Sequence, residues 1–274
     1  MKVRDLVELL TTKCKVYDLE QVRYSGMPAF QPVQPALLYF LYRHHKTLYN
    51  PETDGPRSSA SGLIIMSDQS GTHIDARCHQ ASDLTLIGGI KVTGEIETPW
   101  GFTKLGADEI SPLIARGVLV DVARVHADPL PEDGDVSLDQ FKRALDAQNV
   151  TIRPGDVVLM RTGYGRYWND PPKYAKAPGA SKELTLWLAE QNPMAVGADN
   201  VAWDNPHYVD PDTRSRLVAH LYLLAKRGIY IIENLYLEEI SRERVNEFLF
   251  IGLPLKFKGA TGSPLRPIAI VPHV

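Results

Sequence analysis

Val3, Leu6, Val7 and Leu10 recur at the spacing of one helical face, which predicts a short helix over residues 2–10. From Tyr24 to Gly62 the chain reads "YSGMPAFQPVQPALLYFLYRHHKTLYNPETDGPRSSASG" and shows no clear period. Rich in Pro, Gly and aromatics, it is expected to be an ordered arm or a pocket-lining excursion, because loops this long in compact proteins are usually functional or wrap a partner. Its aromatic residues Tyr39, Phe40 and Tyr42, with His44 and His45, suit either an aromatic-accepting pocket or a subunit interface.

The second half is more regular. "GVLVDVA" (117–123) reads as a buried strand, and the following helix has Ser137 as N-cap with Leu138, Phe141 and Leu145 at helical spacing. "PGDVVLMRTG" is strand-like, "SKELTLWLAEQ" helical, "PMAVGAD" a strand, 213–227 a helix ended by Gly228, and "IYIIENL" a strand. "FLFIGLPLKF" and "LRPIAIVP" add further strands. Strands alternating with helices of this length predict an α/β fold, a parallel or mixed sheet covered by helices. One domain over 1–274 is expected, with 1–56 as its N-terminal helix and aromatic, Pro-rich arm.

Charge removes several functions from consideration. A formal charge of −3, with basic residues scattered and no run of them interleaved with aromatics, argues against nucleic acid as a partner. No window approaches the roughly 18 uninterrupted apolar residues of a membrane span, and the first apolar stretch is too short for a signal peptide. Cys14 and Cys78 are the only cysteines, so no disulfide framework is implied and a cytoplasmic, reducing compartment is expected.

The segment "MSDQSGTHIDARCHQ" (66–80) places His73, Asp75 and His79 within seven positions. If it is extended, His73 and Asp75 share a face, joined by Gln69 if the extension continues upstream. An imidazole and a carboxylate so placed can both reach Zn²⁺ or Mn²⁺, or else form an ordinary His–carboxylate pair. Gly71 permits unusual dihedrals, Thr72 can hydrogen-bond a ligand, and His79 is placed to shuttle protons from the rim. His220 shares a helical stripe with Leu217, Leu221 and Leu224. Glu233 ends the apolar run "IYII" at the carboxyl end of an expected parallel strand, where a buried carboxylate needs a cation or a strong donor. Cys78 reads as a buried neutral thiol rather than a nucleophile, and Asp199 as a structural turn residue.

"QSGTHIDARCH" resembles the signature His-x-Gly-Thr-His-x-Asp-x-Pro-x-His of the metal-dependent cyclase family, amide and lactone hydrolases that include bacterial kynurenine formamidase and isatin hydrolase. "RSSASG", "GDVVLMRTG", "VGADN", the helix carrying His220, "IYIIENL" and "LPLKFKGATGSPLRPIAI" resemble family segments in the expected order. The resemblance implies a swivelling β/β/α fold and a homo-oligomer. It implies His73, Asp75, His220 and Glu233 as metal ligands and His79 as the catalytic acid/base. Two positions depart from the signature. Gln69 stands where a first metal-binding histidine is expected, making it a weak or vestigial ligand and favouring one Zn²⁺ or Mn²⁺ per site. Arg77 replaces the proline and could clamp a substrate carboxylate, or simply pair with a surface acid. The function implied is hydrolysis of a C–N or C–O acyl bond of a cyclic or aryl-linked amide, imide or lactone, a small-molecule substrate, by metal-activated water. A non-catalytic small-molecule binder and a metal-dependent lyase or isomerase are the alternatives.

Overall fold

The computed structural model describes residues 2–30 and 36–273. The expected N-terminal helix is α1 (Val3–Thr12). Eleven strands carry the description: β1 (Cys14–Asp18), β2 (Leu37–Arg43), β3 (Ser61–Met66), β4 (His73–Asp75), β5 (Leu113–Asp121), β6 (Val157–Arg161), β7 (Ala195–Ala198), β8 (Tyr230–Glu233), β9 (Glu247–Gly252), β10 (Gly262–Pro264) and β11 (Ile268–Pro272). Nine form one sheet in the order β1-β11-β9-β5-β6-β7-β8-β4-β10. Its centre, β5 to β8, is parallel. The strands on both flanks are antiparallel. The expected mixed sheet is therefore present.

Alternation along the central strands divides the core in two. Val118 and Val120 of β5, Val158 and Met160 of β6 and Ile231 of β8 face the helical layer. Leu119, Val157, Leu159 and Ile232 face the β-rich segments and the outer strands. The helical layer holds α2 (Leu138–Gln148) and α3 (Lys182–Gln191). In α2 the Ser137 hydroxyl accepts from the Gln140 N–H, and the Gln140 side chain accepts from the Ser137 N–H. Its Phe141, Ala144 and Leu145 are the buried stripe.

The helix expected over 213–227 is shorter and of another type. Residues 211–217 form turns, because the Asp210 carboxylate accepts from the Thr213 N–H and hydroxyl while Arg214 and Leu217 take positive φ. The helix proper, α4 (His220–Arg227), is π-helical and ends at Gly228 in the left-handed conformation. π-Helical turns recur at functional sites.

A second difference lies in the arm. Residues 31–35 fall outside the described residues, but the aromatic run pairs with the "SGLIIM" strand: β2 and β3 form a separate antiparallel hairpin, with Tyr39 opposite Ile64 and Phe40 opposite Leu63. An apolar strand exposed on both faces carries no period, so its pattern gave no signal.

Candidate metal centre and active site

Strand register creates the site. His73 pairs directly with Glu233 across β4 and β8, and Ile74 with Ile232. His73, Asp75 and Glu233 therefore project to one face while the two isoleucines enter the core behind them. His220, the first residue of α4, closes the group from the helical layer. His73 Nε2 lies 3.3 Å from Glu233 Oε2 and 3.6 Å from Asp75 Oδ1. His220 Nε2 lies 3.3 Å from both Asp75 Oδ2 and Glu233 Oε1. All four side chains are buried.

Both imidazoles are fixed from behind. His73 Nδ1 donates to the Gly71 carbonyl at 2.8 Å, and His220 Nδ1 to the Asp204 carboxylate at 2.8 Å. Neither acceptor has a proton to give, so each ring carries its proton on Nδ1 and turns Nε2 toward the carboxylates. Such partners are the usual means of orienting a metal-binding histidine. Gly71 is favoured here by its φ of 63°, in the left-handed region, and a Cβ would also push on the Arg23 guanidinium. The Arg23 guanidinium itself donates to the carbonyls of Ser70 and Thr72, clasping the loop that leads into β4.

The electrostatics call for positive charge. Asp75 Oδ2 and Glu233 Oε1 are buried without a hydrogen-bond partner among the described residues. Burial alone would raise Asp75, but His79, His220 and His73 hold its carboxyl far below the usual range. Burial does raise Glu233. Burial opposes a charge on His220, yet its bond to Asp204 and the nearby carboxylates of Asp75 and Glu233 hold its proton affinity well above the ordinary value. Two carboxylates and two oriented nitrogens around unpaired buried oxygens fit a divalent cation such as Zn²⁺ or Mn²⁺. A water or monovalent ion leaves the carboxylate repulsion largely in place.

His79 is half-buried at the rim, its ring centroid 5.9 Å from that of His220 in an edge arrangement. One atom each of Asp75, His79 and His220 lie within 4.8 Å of one another, so geometry also allows His79 as a ligand. The His73–Asp75–His220–Glu233 set is the more deeply buried, and both of its nitrogens are aimed by a hydrogen bond at Nδ1. His79 Nε2 instead contacts the Gln80 side-chain nitrogen at 3.1 Å. Burial lowers the His79 pKa against the opposing pull of Asp75, which favours the neutral ring.

The other expectations divide. Gln69 lines the site and donates to Asp75 Oδ1 at 3.3 Å, so its nitrogen, not its oxygen, faces the carboxylate. Arg77 is a correction. Its Nε donates to the Gly228 carbonyl at 2.9 Å, its guanidinium lies 4.5 Å from the Tyr230 ring centroid, and it does not line the cavity. Thr72 donates to the Asn234 carbonyl and accepts from the Gln21 N–H, leaving no donor for a ligand. Burial raises the Cys78 thiol to about 12, so it stays protonated and inert. Asp199 is structural: it accepts from the N–H groups of Thr162, Gly163 and Gly165. Asp204 was missed. It sits in an irregular segment, and nothing in its neighbourhood of sequence marks a residue that caps α4 through the Ala219 N–H and steers His220.

The site opens into a cavity of about 310 Å³ whose apolar wall is Phe30, Val201, Ala202 and Leu217. It suits a small ring or aryl group beside the polar cluster. A larger cavity of about 630 Å³ adjoins it.

Comparison with known proteins decides the family. The Cyclase family ("Putative cyclase") matches residues 17–205. The chain belongs to the cyclase family. A kynurenine formamidase from Paracidovorax citrulli (strain AAC00-1) is 25% identical over 267 residues, covering 96% of this chain and all of the relative. The crystal structure of a novel cyclase superposes with a TM-score of 0.83 at 29% identity, over 97% of this chain and 89% of that one. Isatin hydrolase A from Ralstonia solanacearum shares the fold, with a TM-score of 0.71 at 22% identity over 99% and 97%. The swivelling β/β/α arrangement expected from the motif is thus the cyclase fold.

Within this cyclase, Asp204 gives a direct test of the support behind His220. Asp204→Asn keeps the shape but lets the amide oppose its N–H to the imidazole; metal affinity should fall by about 10–100-fold. Competition with a chromogenic chelator measures it, and an unchanged affinity would show that Asp204 serves only the helix end.

Proposed function

We propose that this cyclase hydrolyses a C–N or C–O acyl bond in a small cyclic or aryl-linked amide, imide or lactone, using one Zn²⁺ or Mn²⁺ per chain. The chain is a metal-dependent hydrolase. The observation that carries the reading is the convergence of His73, Asp75, His220 and Glu233 around two buried, unpartnered carboxylate oxygens. The related formamidase and isatin hydrolase are, by name, hydrolases of this kind.

When bound, the cation supplies a Lewis acid that polarises an acyl oxygen and lowers the pKa of water. The rest falls to the chain. Phe30, Val201, Ala202 and Leu217 seat the ring and exclude bulk water, which strengthens every charge interaction in the cavity. His79, neutral and at the rim, takes a proton from attacking water and returns it to the leaving nitrogen or oxygen. Because the Gln80 amide nitrogen can only donate, Nε2 is the unprotonated nitrogen of the His79 ring, and it turns from Gln80 to take the proton. Gln69, donating to Asp75, offers no second nitrogen ligand, which favours a single ion.

Protein purified without chelator should hold about one equivalent of zinc or manganese per chain. It should open lactones, cyclic imides or N-acyl arylamines and place label from heavy-oxygen water in the acid product. A chain without transition metal, inert after reconstitution, would be a binder and not an enzyme.

We further assign the homo-oligomer contact to the β2–β3 hairpin. Leu38, Tyr39, Phe40, Leu41, Tyr42, Leu63, Ile64 and Ile65 are each at least 40% exposed, so both faces of the hairpin carry apolar surface of the kind that marks an interface. A lone two-stranded hairpin is also marginal in water. Phe40→Asp with Ile65→Asp, which charges one face, is expected to yield monomers in sedimentation velocity; a wild-type chain already monomeric at micromolar concentration contradicts the assignment. No helix among the described residues is long and apolar enough to cross a membrane, and a cytoplasmic location accords with the two free cysteines.

A further inference from the structure

The larger cavity, of about 630 Å³, plays no part in the chemistry derived above. Phe30 and Val201 line both cavities. Two consecutive pairs straddle the boundary: Ala29 lines only the larger cavity and Phe30 both, while Arg216 lines the larger and Leu217 the smaller. The two spaces are therefore adjacent, with Phe30 and Val201 as a shared apolar border. Beyond it the described walls are mostly apolar, with Met27, Pro28, Leu37, Tyr174 and Pro206 prominent. No carboxylate lines either the larger cavity or the apolar wall, and Asp75 and Glu233 are confined to the metal end of the smaller one. Arg216 is the one guanidinium lining either cavity among the described residues, and it has no carboxylate within ion-pair distance there.

We propose that the larger cavity is a substrate-recognition site for an extended apolar substituent bearing a carboxylate, its acid group paired with Arg216 and its scissile carbonyl past the shared border of Phe30 and Val201, at the metal cluster. This rests on the hydrolase reading for the second half of the statement only. The smaller cavity, lacking any cationic side chain other than its histidines, selects the reacting ring, and the larger one selects what the ring carries. Arg216 takes the role expected of Arg77. An exposed guanidinium recognises a carboxylate bidentately at modest strength, and the apolar wall supplies the remainder by burying methylenes.

Binding to the metal-stripped protein separates this idea from the reaction itself. Titration calorimetry with straight-chain alkanoates of four to twelve carbons should show affinity rising about three- to fourfold per methylene until the cavity is full. The matching alkanols should bind more weakly. Arg216→Ala should remove the preference for the acid and leave alcohol binding unchanged. Ala175→Trp, at an exposed position that lines only the larger cavity, should weaken both. With metal restored, the same two variants should raise KM for esters and amides carrying an extended carboxylate and spare kcat and short substrates. Absence of any chain-length dependence in the metal-free protein, or equal binding of acid and alcohol, overturns the proposal even if hydrolysis is observed. Chain-length-dependent acid binding by a protein that hydrolyses nothing leaves the recognition site standing and removes the hydrolase reading.

Discussion

Glu233→Gln is expected to strip the protein of metal and of turnover while leaving the metal-free fold at least as stable. Glu233 faces His73 in register, and its Oε1 is one of the two buried carboxylate oxygens without a partner among the described residues. The amide keeps the shape and removes the negative charge that attracts the cation. Loss of a ligand exceeds loss of a supporting residue, so affinity should drop by more than about 100-fold. Stability should move the other way. Burial raises the folded-state pKa of Glu233, so its protonated form is favoured by the fold; stability is fully present at low pH and is lost as pH rises past that value. The glutamine variant has no charge to bury. Thermal unfolding in chelator should therefore show wild type weakening with rising pH through the range where Glu233 ionises, and the variant unaffected by that group. A variant that loses stability but retains metal would place Glu233 in a structural role.

His79→Ala is expected to lower kcat by about 10²–10⁴-fold, the range of general acid–base catalysis, with metal content near normal. The separation of the two losses is the point. His79 is close enough to Asp75 and His220 to act as a ligand, and its assignment as the proton carrier rests on its rim position, its contact with Gln80 and its depressed pKa. Metal content falling in step with turnover would make it a ligand. Elemental analysis of the same preparation used for kinetics settles which.

The sequence made local geometry legible and long-range geometry only in outline. His73 and Asp75 were readable as a pair because side chains on a strand alternate with period two. Glu233 was readable because a carboxylate ending an apolar run is costly unless something pairs with it. That His73 and Glu233 would face each other depends on the register of two strands far apart in the chain, which no local pattern encodes. Asp204 left no trace for the same reason, since its partner lies sixteen residues on, across an irregular stretch. The helix over 213–227 was overextended because apolar periodicity does not register the Asp210 turn or the positive φ of Arg214 and Leu217. Arg77 was misread because its neighbours in sequence, Asp75 and His79, line the site, whereas its neighbours in space are Gly228 and Tyr230.

Anomalous diffraction from crystals grown with zinc or manganese and no chelator bears most directly on the central claim. One peak is predicted, with His73 Nε2, His220 Nε2 and a carboxylate oxygen of both Asp75 and Glu233 at roughly 2.0–2.2 Å. A peak that excludes Glu233, or a crystal in which these four side chains hold no metal while another cluster does, contradicts it.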